Sequence, residues 1–185
     1  GWYPGAGGGR ALAELIFGKA SPSGKLPVTF YRNDALSELP LFADYSMAGR
    51  TYRYYRGEPL YPFGYGLTYG DCAVTGLKAD RSRAVVTLRN RGTRDTQEVL
   101  QLYIHDEESP FAPPNPILCG FERVHLAAGE EKSVSVPIDE SAFYVVTDKG
   151  EHVPGSGHWT LYAGFGGPDA RTQALTGRKA LSVQL

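Results

Sequence analysis

Cysteine, histidine and unbalanced charge are all scarce in this sequence of 185 residues. Two cysteines, Cys72 and Cys119, are too few for a disulfide framework or a zinc site on their own. Free cysteines are commonly buried, so we expect two buried thiols. The nineteen Lys and Arg residues nearly balance the twenty Asp and Glu residues, leaving a net charge of -1. That balance provides no basic excess for binding nucleic acid or a membrane surface.

The sequence also lacks long apolar runs and recognisable metal spacings. Its longest apolar run is far shorter than the ~20 residues that cross a membrane. The spacing of the four histidines does not match that of metal ligands. These residues are His105, His125, His152 and His158. The acidic stretch 105–108 precedes a Ser-Pro pair and is interpreted as a solvated loop, since clustered carboxylates usually face water. We therefore predict no metal site and no cofactor.

No catalytic constellation emerges from the residues themselves. The glycine-rich segment 5–9 precedes a helix but lacks the Gly-Lys-Ser/Thr ending of a phosphate-binding loop, so a tight turn with positive φ is expected. Ser156 lies between two glycines without the Gly-x-Ser-x-Gly spacing of a nucleophile, which indicates a turn. The acids nearest the aromatic region are Asp44, Glu58 and Asp71, and their spacing makes no glycosidase carboxylate pair. Catalytic residues are predicted to be absent, and substrate-binding residues stay unassigned.

Residues 1–43 have the composition of an α/β fragment. Leu12, Leu15 and Ile16 share one face of a short helix predicted over residues 10–17, and Gly18 is suited to end it. An extended segment over residues 25–30 follows, kept short by its proline. We interpret this stretch as the C-terminal piece of an α/β domain whose earlier strands belong to a longer protein.

Residues 44–70 are dense in aromatic side chains and show no sustained period. Seven of the twelve tyrosines lie here: Tyr45, Tyr52, Tyr54, Tyr55, Tyr61, Tyr65 and Tyr69. Such a segment cannot form a core alone, but its rings can pack against other surfaces. We expect an ordered connector that is buried between two domains, with Arg50, Arg53 and Arg56 either stacked on the rings, paired with acids or simply solvated.

From residue 71 to 185 the apolar residues recur with period two. Alternating runs occur around residues 84–88, 99–104, 133–138, 159–163 and 181–185, and turn signals separate them. About seven short strands over this length are typical of an immunoglobulin-like sandwich. The Cys-Trp-Cys pattern of a true immunoglobulin domain is absent. The sequence thus predicts a mainly β fold, preceded by the α/β fragment and the connector.

Several long segments resemble glycoside hydrolase family 3. Residues 2–18, which begin Trp-Tyr-Pro-Gly-Ala-Gly-Gly-Gly, and residues 21–30 are similar to the end of its second, α/β sandwich domain. Residues 49–55 and 59–69, the latter reading Pro-Leu-Tyr-Pro-Phe-Gly-Tyr-Gly-Leu-Thr-Tyr, resemble the segment leading out of that domain. Residues 98–103, 118–121 and 126–130 resemble its C-terminal fibronectin type III-like domain. The segments occur in the family's order over nearly the whole chain.

The resemblance implies the C-terminal part of a retaining β-glycosidase that hydrolyses β-glucosides or β-xylosides. In that family the aspartate nucleophile lies in an N-terminal (β/α)8 barrel and the glutamate acid/base lies earlier in the α/β domain, so neither maps onto this sequence. The implied partners are those two domains and, through them, β-linked oligosaccharides. The alternative is a free-standing carbohydrate-binding or adhesion sandwich, which would need exposed aromatics among Tyr103, Phe111, Tyr144, Trp159 and Tyr162. No compartment can be inferred from these residues.

Overall fold

The computed structural model describes residues 2–185, and most of its regular structure follows residue 70. Three α-helices are present, α1 (Gly8–Ile16), α2 (Thr51–Tyr54) and α3 (Ala170–Thr176), with 3-10 turns at Asp34–Glu38 and Glu140–Phe143. The strands are β1 (Cys72–Ala79), β2 (Arg83–Asn90), β3 (Thr96–Asp106), β4 (Ile117–Leu126), β5 (Glu131–Pro137), β6 (Tyr144–Val146), β7 (His152–Pro154), β8 (Trp159–Gly164) and β9 (Leu181–Gln184).

The strands form two antiparallel sheets that enclose one core. One sheet has the order β1-β2-β5, the other has the order β4-β3-β8-β9, and β6 and β7 make a separate pair. The core draws fully buried side chains from both sheets, among them Val86 and Leu88 of β2, Leu102 of β3 and Leu161 of β8. The predicted mainly β sandwich is therefore confirmed.

The two cysteines behave as free thiols. Cys72 is buried in the core, whereas Cys119 on β4 is only half-buried. Burial disfavours the thiolate, raising the pKa of Cys72 to about 11 and that of Cys119 to about 12. The expectation of burial is met fully by Cys72 and in part by Cys119.

Helix α1 begins at Gly8, two residues before the predicted start, and ends at Ile16, one residue before the predicted end. Gly5 has a φ of 60° in the turn that precedes it, and Gly18 has a φ of 66° just after it, as expected of both glycines. None of its residues is buried. The extended segment 25–30 forms no strand, but its backbone bonds to residues 60–65, including a bridge between Phe30 and Tyr61.

The interpretation of residues 105–108 as a solvated loop is wrong for Asp106. This residue ends β3, is only 3% exposed, and accepts hydrogen bonds from the amides of Glu108 and Ser109 and from both the amide and the hydroxyl of Ser156. Ser156 is indeed a turn residue, because it ties the loop before β8 to the end of β3. Burial acts to raise the pKa of Asp106, but the bonds from Ser156, Glu108 and Ser109 together outweigh it and hold that pKa below its usual value.

We expect the Asp106 carboxylate to make folding sensitive to acid. Since its pKa is lower in the folded chain, its contribution is complete above the unfolded value of about 3.9 and is lost as the pH falls through the lower, folded value. Asp106→Asn should cost about 1–2 kcal/mol at neutral pH. Urea melts of both proteins from neutral to acid pH should converge at the acid end, and a gap independent of pH would contradict this role.

Candidate functional site

The junction between the N-terminal 70 residues and the sandwich contains the most unusual polar chemistry of the chain. At its centre lies Glu98 of β3, whose side chain is fully buried. One carboxylate oxygen lies 2.8 Å from Nζ of Lys25, and the other accepts a bond of 3.1 Å from Nη1 of Arg178. A buried carboxylate is very costly without such partners. The two cations come from opposite ends of the chain and meet at one acid.

Backbone carbonyls complete this charged cluster. Lys25 also donates to the carbonyl of Gly66 at 3.2 Å, and Arg178 donates to the carbonyl of Gly70 at 3.1 Å. Both carbonyls belong to the connector. The cluster of Lys25, Glu98 and Arg178, here called the ionic clamp, therefore joins the α/β fragment, the connector, β3 and the turn before β9.

Neutral hydrogen bonds reinforce the same junction. The hydroxyls of Ser21, Thr68 and Thr96 lie within 2.8 to 3.1 Å of one another and bring together one residue from each part of the chain. Nearby, Arg123 of β4 donates to the hydroxyl of Ser23 at 2.6 Å. These contacts fix the α/β fragment directly on the sandwich, in addition to its contacts with the connector.

The connector covers the outer face of β3. Gln101 and Tyr103 point away from the sandwich core and yet are buried. Gln101 donates to the carbonyl of Gly64 at 3.0 Å, and the Tyr103 hydroxyl donates to Gln101 Oε1 at 2.6 Å. Gly64 has a φ of 79°, and a Cβ there would collide with both side chains. Burial raises the pKa of Tyr103 well above its usual value.

Helix α2 is attached to the sandwich through Asn115 and Tyr52. Asn115 donates from its amide group to the carbonyls of Tyr52 and Tyr55 at 2.9 and 2.8 Å. The Tyr52 hydroxyl accepts a bond of 3.1 Å from the amide of Leu118, and its ring stacks on Phe63 with centroids 4.1 Å apart. The connector is thus ordered around α2.

The expectation that all seven connector tyrosines are buried is only partly met. Within this chain, four are half-buried, namely Tyr52, Tyr54, Tyr55 and Tyr65, whereas Tyr45 is 93% exposed. Among the arginines, Arg53 lies over the Tyr52 ring at 5.9 Å. Arg50 instead donates to the carbonyls of Pro40 and Leu41, so it braces a loop.

Two of the three acids nearest the aromatic region make polar contacts within the chain. Asp44 accepts from the amide of Ser46 in its own turn, and this bond keeps the pKa of Asp44 low. Glu58 lies 3.8 Å from both Arg32 and Arg171. Within residues 2–185, no three His, Cys, Asp or Glu side chains gather in a way that could hold a metal ion. None of the helices described is both long and apolar enough to span a membrane.

Exposed apolar side chains are concentrated in the N-terminal 69 residues. Of the 21 large apolar side chains that are exposed, sixteen lie in residues 2–69, here called the N-terminal apolar surface. The most exposed of them are Tyr3, Phe17, Leu41, Phe42 and Tyr45. Exposed apolar surface of this extent commonly marks an interface.

Sequence reasoning missed the ionic clamp and helix α3. Asp169 caps α3 by accepting from the amide and the hydroxyl of Thr172, and Gly177 ends it at a φ of 68°. Asp169 and Gly177 could have indicated a helix between them, since they are typical of helix starts and ends. The segment between them has no clear apolar period. No local pattern connects Glu98 with Lys25 or Arg178.

Two family models match the chain. The glycosyl hydrolase family 3 C-terminal domain matches residues 1–69, and the fibronectin type III-like domain matches residues 98–166. A xylan 1,4-β-xylosidase from Xylanibacter ruminicola is 40% identical over 147 residues, covering 76% of this chain and 17% of the relative. A periplasmic β-glucosidase from Salmonella typhimurium is 35% identical, covering 76% of this chain and 21% of the relative.

Solved structures of two β-glucosidases also match this chain. A β-glucosidase from Bifidobacterium adolescentis superposes on 96% of this chain with a TM-score of 0.77 and 31% identity, and the match covers 28% of that protein. A β-glucosidase from Streptomyces venezuelae superposes on the whole chain with a TM-score of 0.78, covering 25% of that protein. The chain thus spans about a fifth to a quarter of the length of these relatives. It belongs to glycosyl hydrolase family 3, of which it carries part of the C-terminal domain and the fibronectin type III-like domain.

Proposed function

We propose that this chain is the C-terminal structural part of a retaining exo-β-glycosidase that hydrolyses β-glucosides or β-xylosides. Its role is to pack against the catalytic domains of that enzyme and to stabilise them. The chain itself supplies neither nucleophile nor acid/base, so alone it hydrolyses nothing.

The observation that carries this proposal is the N-terminal apolar surface. Helix α1 has an apolar face of which Leu15 is half-buried, whereas Leu12 and Ile16 are 59% and 68% exposed. In a protein of this family, the preceding part of the C-terminal domain is the natural cover for such a face. The ionic clamp would then hold the sandwich in a fixed position relative to that domain.

A free-standing carbohydrate-binding sandwich is the alternative. Of the aromatics that it would need, Trp159 and Tyr103 are buried, Tyr162 is half-buried, and Phe111 and Tyr144 are only 39% and 38% exposed. This gives little support for a sugar-stacking platform on the sandwich surface.

A chimera tests the proposal. The matching C-terminal region of the Xylanibacter ruminicola β-xylosidase, 40% identical to this chain, is replaced by residues 1–185. We expect the chimera to hydrolyse an aryl β-xyloside, because residues 1–185 contain both the apolar face of α1, which packs on the rest of the enzyme, and the ionic clamp, which holds the sandwich to it. The same enzyme truncated before this region should be inactive or insoluble.

The 185-residue chain alone provides the second arm, assayed at micromolar concentration with aryl β-glucoside and aryl β-xyloside. We expect no turnover above that of a denatured sample. The proposal is wrong if the isolated chain hydrolyses either substrate after repurification. It is also wrong if the truncated enzyme is active while a folded chimera is not.

A further inference from the structure

A cavity of about 240 Å³ lies where the connector meets the sandwich. Its walls come from three parts of the chain and include Tyr52, Tyr55 and Phe63 of the connector, Tyr103 and Asn115 of the sandwich, and Asp169 before α3. A cavity of about 150 Å³ holds one benzene ring, so this one has room for a single six-membered ring with substituents.

Most of the aromatic walls are held in place before any ligand arrives. Tyr52 is stacked on Phe63 and meets the Tyr103 ring edge-on at 6.3 Å. Tyr55 meets Tyr31 edge-on at 4.8 Å, and Asn115 donates to the backbone carbonyls of Tyr52 and Tyr55. A site with fixed walls loses little conformational entropy when a ligand binds.

The cavity is lined by one acid and by no basic residue. None of its lining residues is Lys, Arg, His or Glu. Its one acid, Asp169, has its two oxygens engaged by the amide and the hydroxyl of Thr172 at 2.8 and 2.7 Å. An anionic ligand would find no counter-charge here and would face the Asp169 carboxylate, so the site disfavours anions.

Hydrogen-bonding capacity remains among the aromatic walls. The Tyr52 hydroxyl accepts from Leu118, but its own proton has no acceptor within residues 2–185. The amide oxygen of Asn115 also lacks a partner among the described residues, whereas the Tyr55 hydroxyl lies against Gly57, which does not line the cavity. A pyranose combines C–H surfaces that pack on aromatic rings with hydroxyls that can bond to the Tyr52 hydroxyl and the Asn115 oxygen.

We propose that this cavity binds one neutral pyranose at the junction of connector and sandwich. Its identity as D-xylose or D-glucose rests on the proposed function, whereas its size and its lack of negative charge follow from the cavity itself. A ligand of this size in a shallow site is expected to have a dissociation constant on the order of millimolar.

Titration of the full chain with D-xylose and D-glucose, followed by amide NMR, tests the proposal. We expect saturable shifts at Tyr52, Tyr55 and Gly167. Tyr55→Ala should weaken binding at least tenfold, whereas Tyr55→Phe, which keeps the aromatic wall, should bind like the unmodified chain. The matched control is Tyr54→Ala, since Tyr54 is the half-buried neighbour of Tyr55 but does not line the cavity; it should bind normally.

Cyclohexanol serves as a ring of similar size with a single hydroxyl. The proposal is overturned if neither sugar gives saturable shifts with a folded chain, if cyclohexanol alone binds, or if Tyr55→Ala binds the sugars like the unmodified chain. Hydrolysis by the chimera is read separately, so failure to bind a sugar here leaves the proposed structural role standing.

Discussion

Replacing Glu98 by alanine is expected to lower the free energy of unfolding by about 3–5 kcal/mol, because it leaves two cations facing each other without an acid. Lys25 is only 8% exposed, so water cannot replace the lost carboxylate there. Arg178 is 32% exposed and recovers some hydration, which places the effect nearer the lower value. Equilibrium urea unfolding, monitored by far-ultraviolet circular dichroism, measures the loss.

Two further variants separate the clamp from a general effect of charge removal. Arg10→Ala breaks the exposed pair with Glu14 and should cost at most about 0.5 kcal/mol. Replacing all three clamp residues together, by Lys25→Met, Glu98→Leu and Arg178→Met, should recover much of the stability lost by Glu98→Ala, because no buried charge is left unpaired. A loss below about 1 kcal/mol for Glu98→Ala would contradict the importance of the clamp.

Amide hydrogen exchange of the isolated chain is expected to divide it into a fast and a slow part that differ about 1,000-fold or more in rate. Helix α1 has nine residues and buries none of them, and helices this short are marginal in water. The strands of the sandwich open only with global unfolding, which costs at least about 5 kcal/mol in a typical domain.

The boundary between the two parts should not lie at residue 44, where composition suggests it. Leu26 donates its amide to the carbonyl of Tyr65, and Gly64 donates to the carbonyl of Leu26, close to the ionic clamp. We therefore expect these two amides to exchange as slowly as β3, although Leu26 belongs to the α/β fragment. Fast exchange at both, or strong protection throughout α1, would contradict this division.

The sandwich could be predicted because its strands carry their information locally. Val86 and Leu88 face the core as the period-two pattern requires, and so do Leu102 and Leu161. The same pattern correctly places Gln101 on the other face of β3, yet it cannot tell that this face is buried. Burial there depends on the carbonyl of Gly64, 37 residues away, and period two contains no information about such a contact.

The junction could not be predicted for the same reason. Glu98 follows the outward-facing Gln97 on β3 and occupies a core-side position that sequence patterns reserve for apolar residues. Its partners lie 73 and 80 positions away, and neither Lys25 nor Arg178 stands in a motif that points to it. The resemblance to a hydrolase family correctly predicted the type of domain. Long-range ion pairs depend on the folded arrangement of the chain, which no local pattern contains.

The N-terminal apolar surface also determines how the isolated chain behaves in solution. Sixteen exposed apolar side chains in residues 2–69 favour contact between copies, and a net charge of -1 gives almost no electrostatic repulsion to oppose it. Concentrated samples should therefore precipitate most readily near neutral pH, and added acidic residues on the solvent face of α1 would improve their solubility.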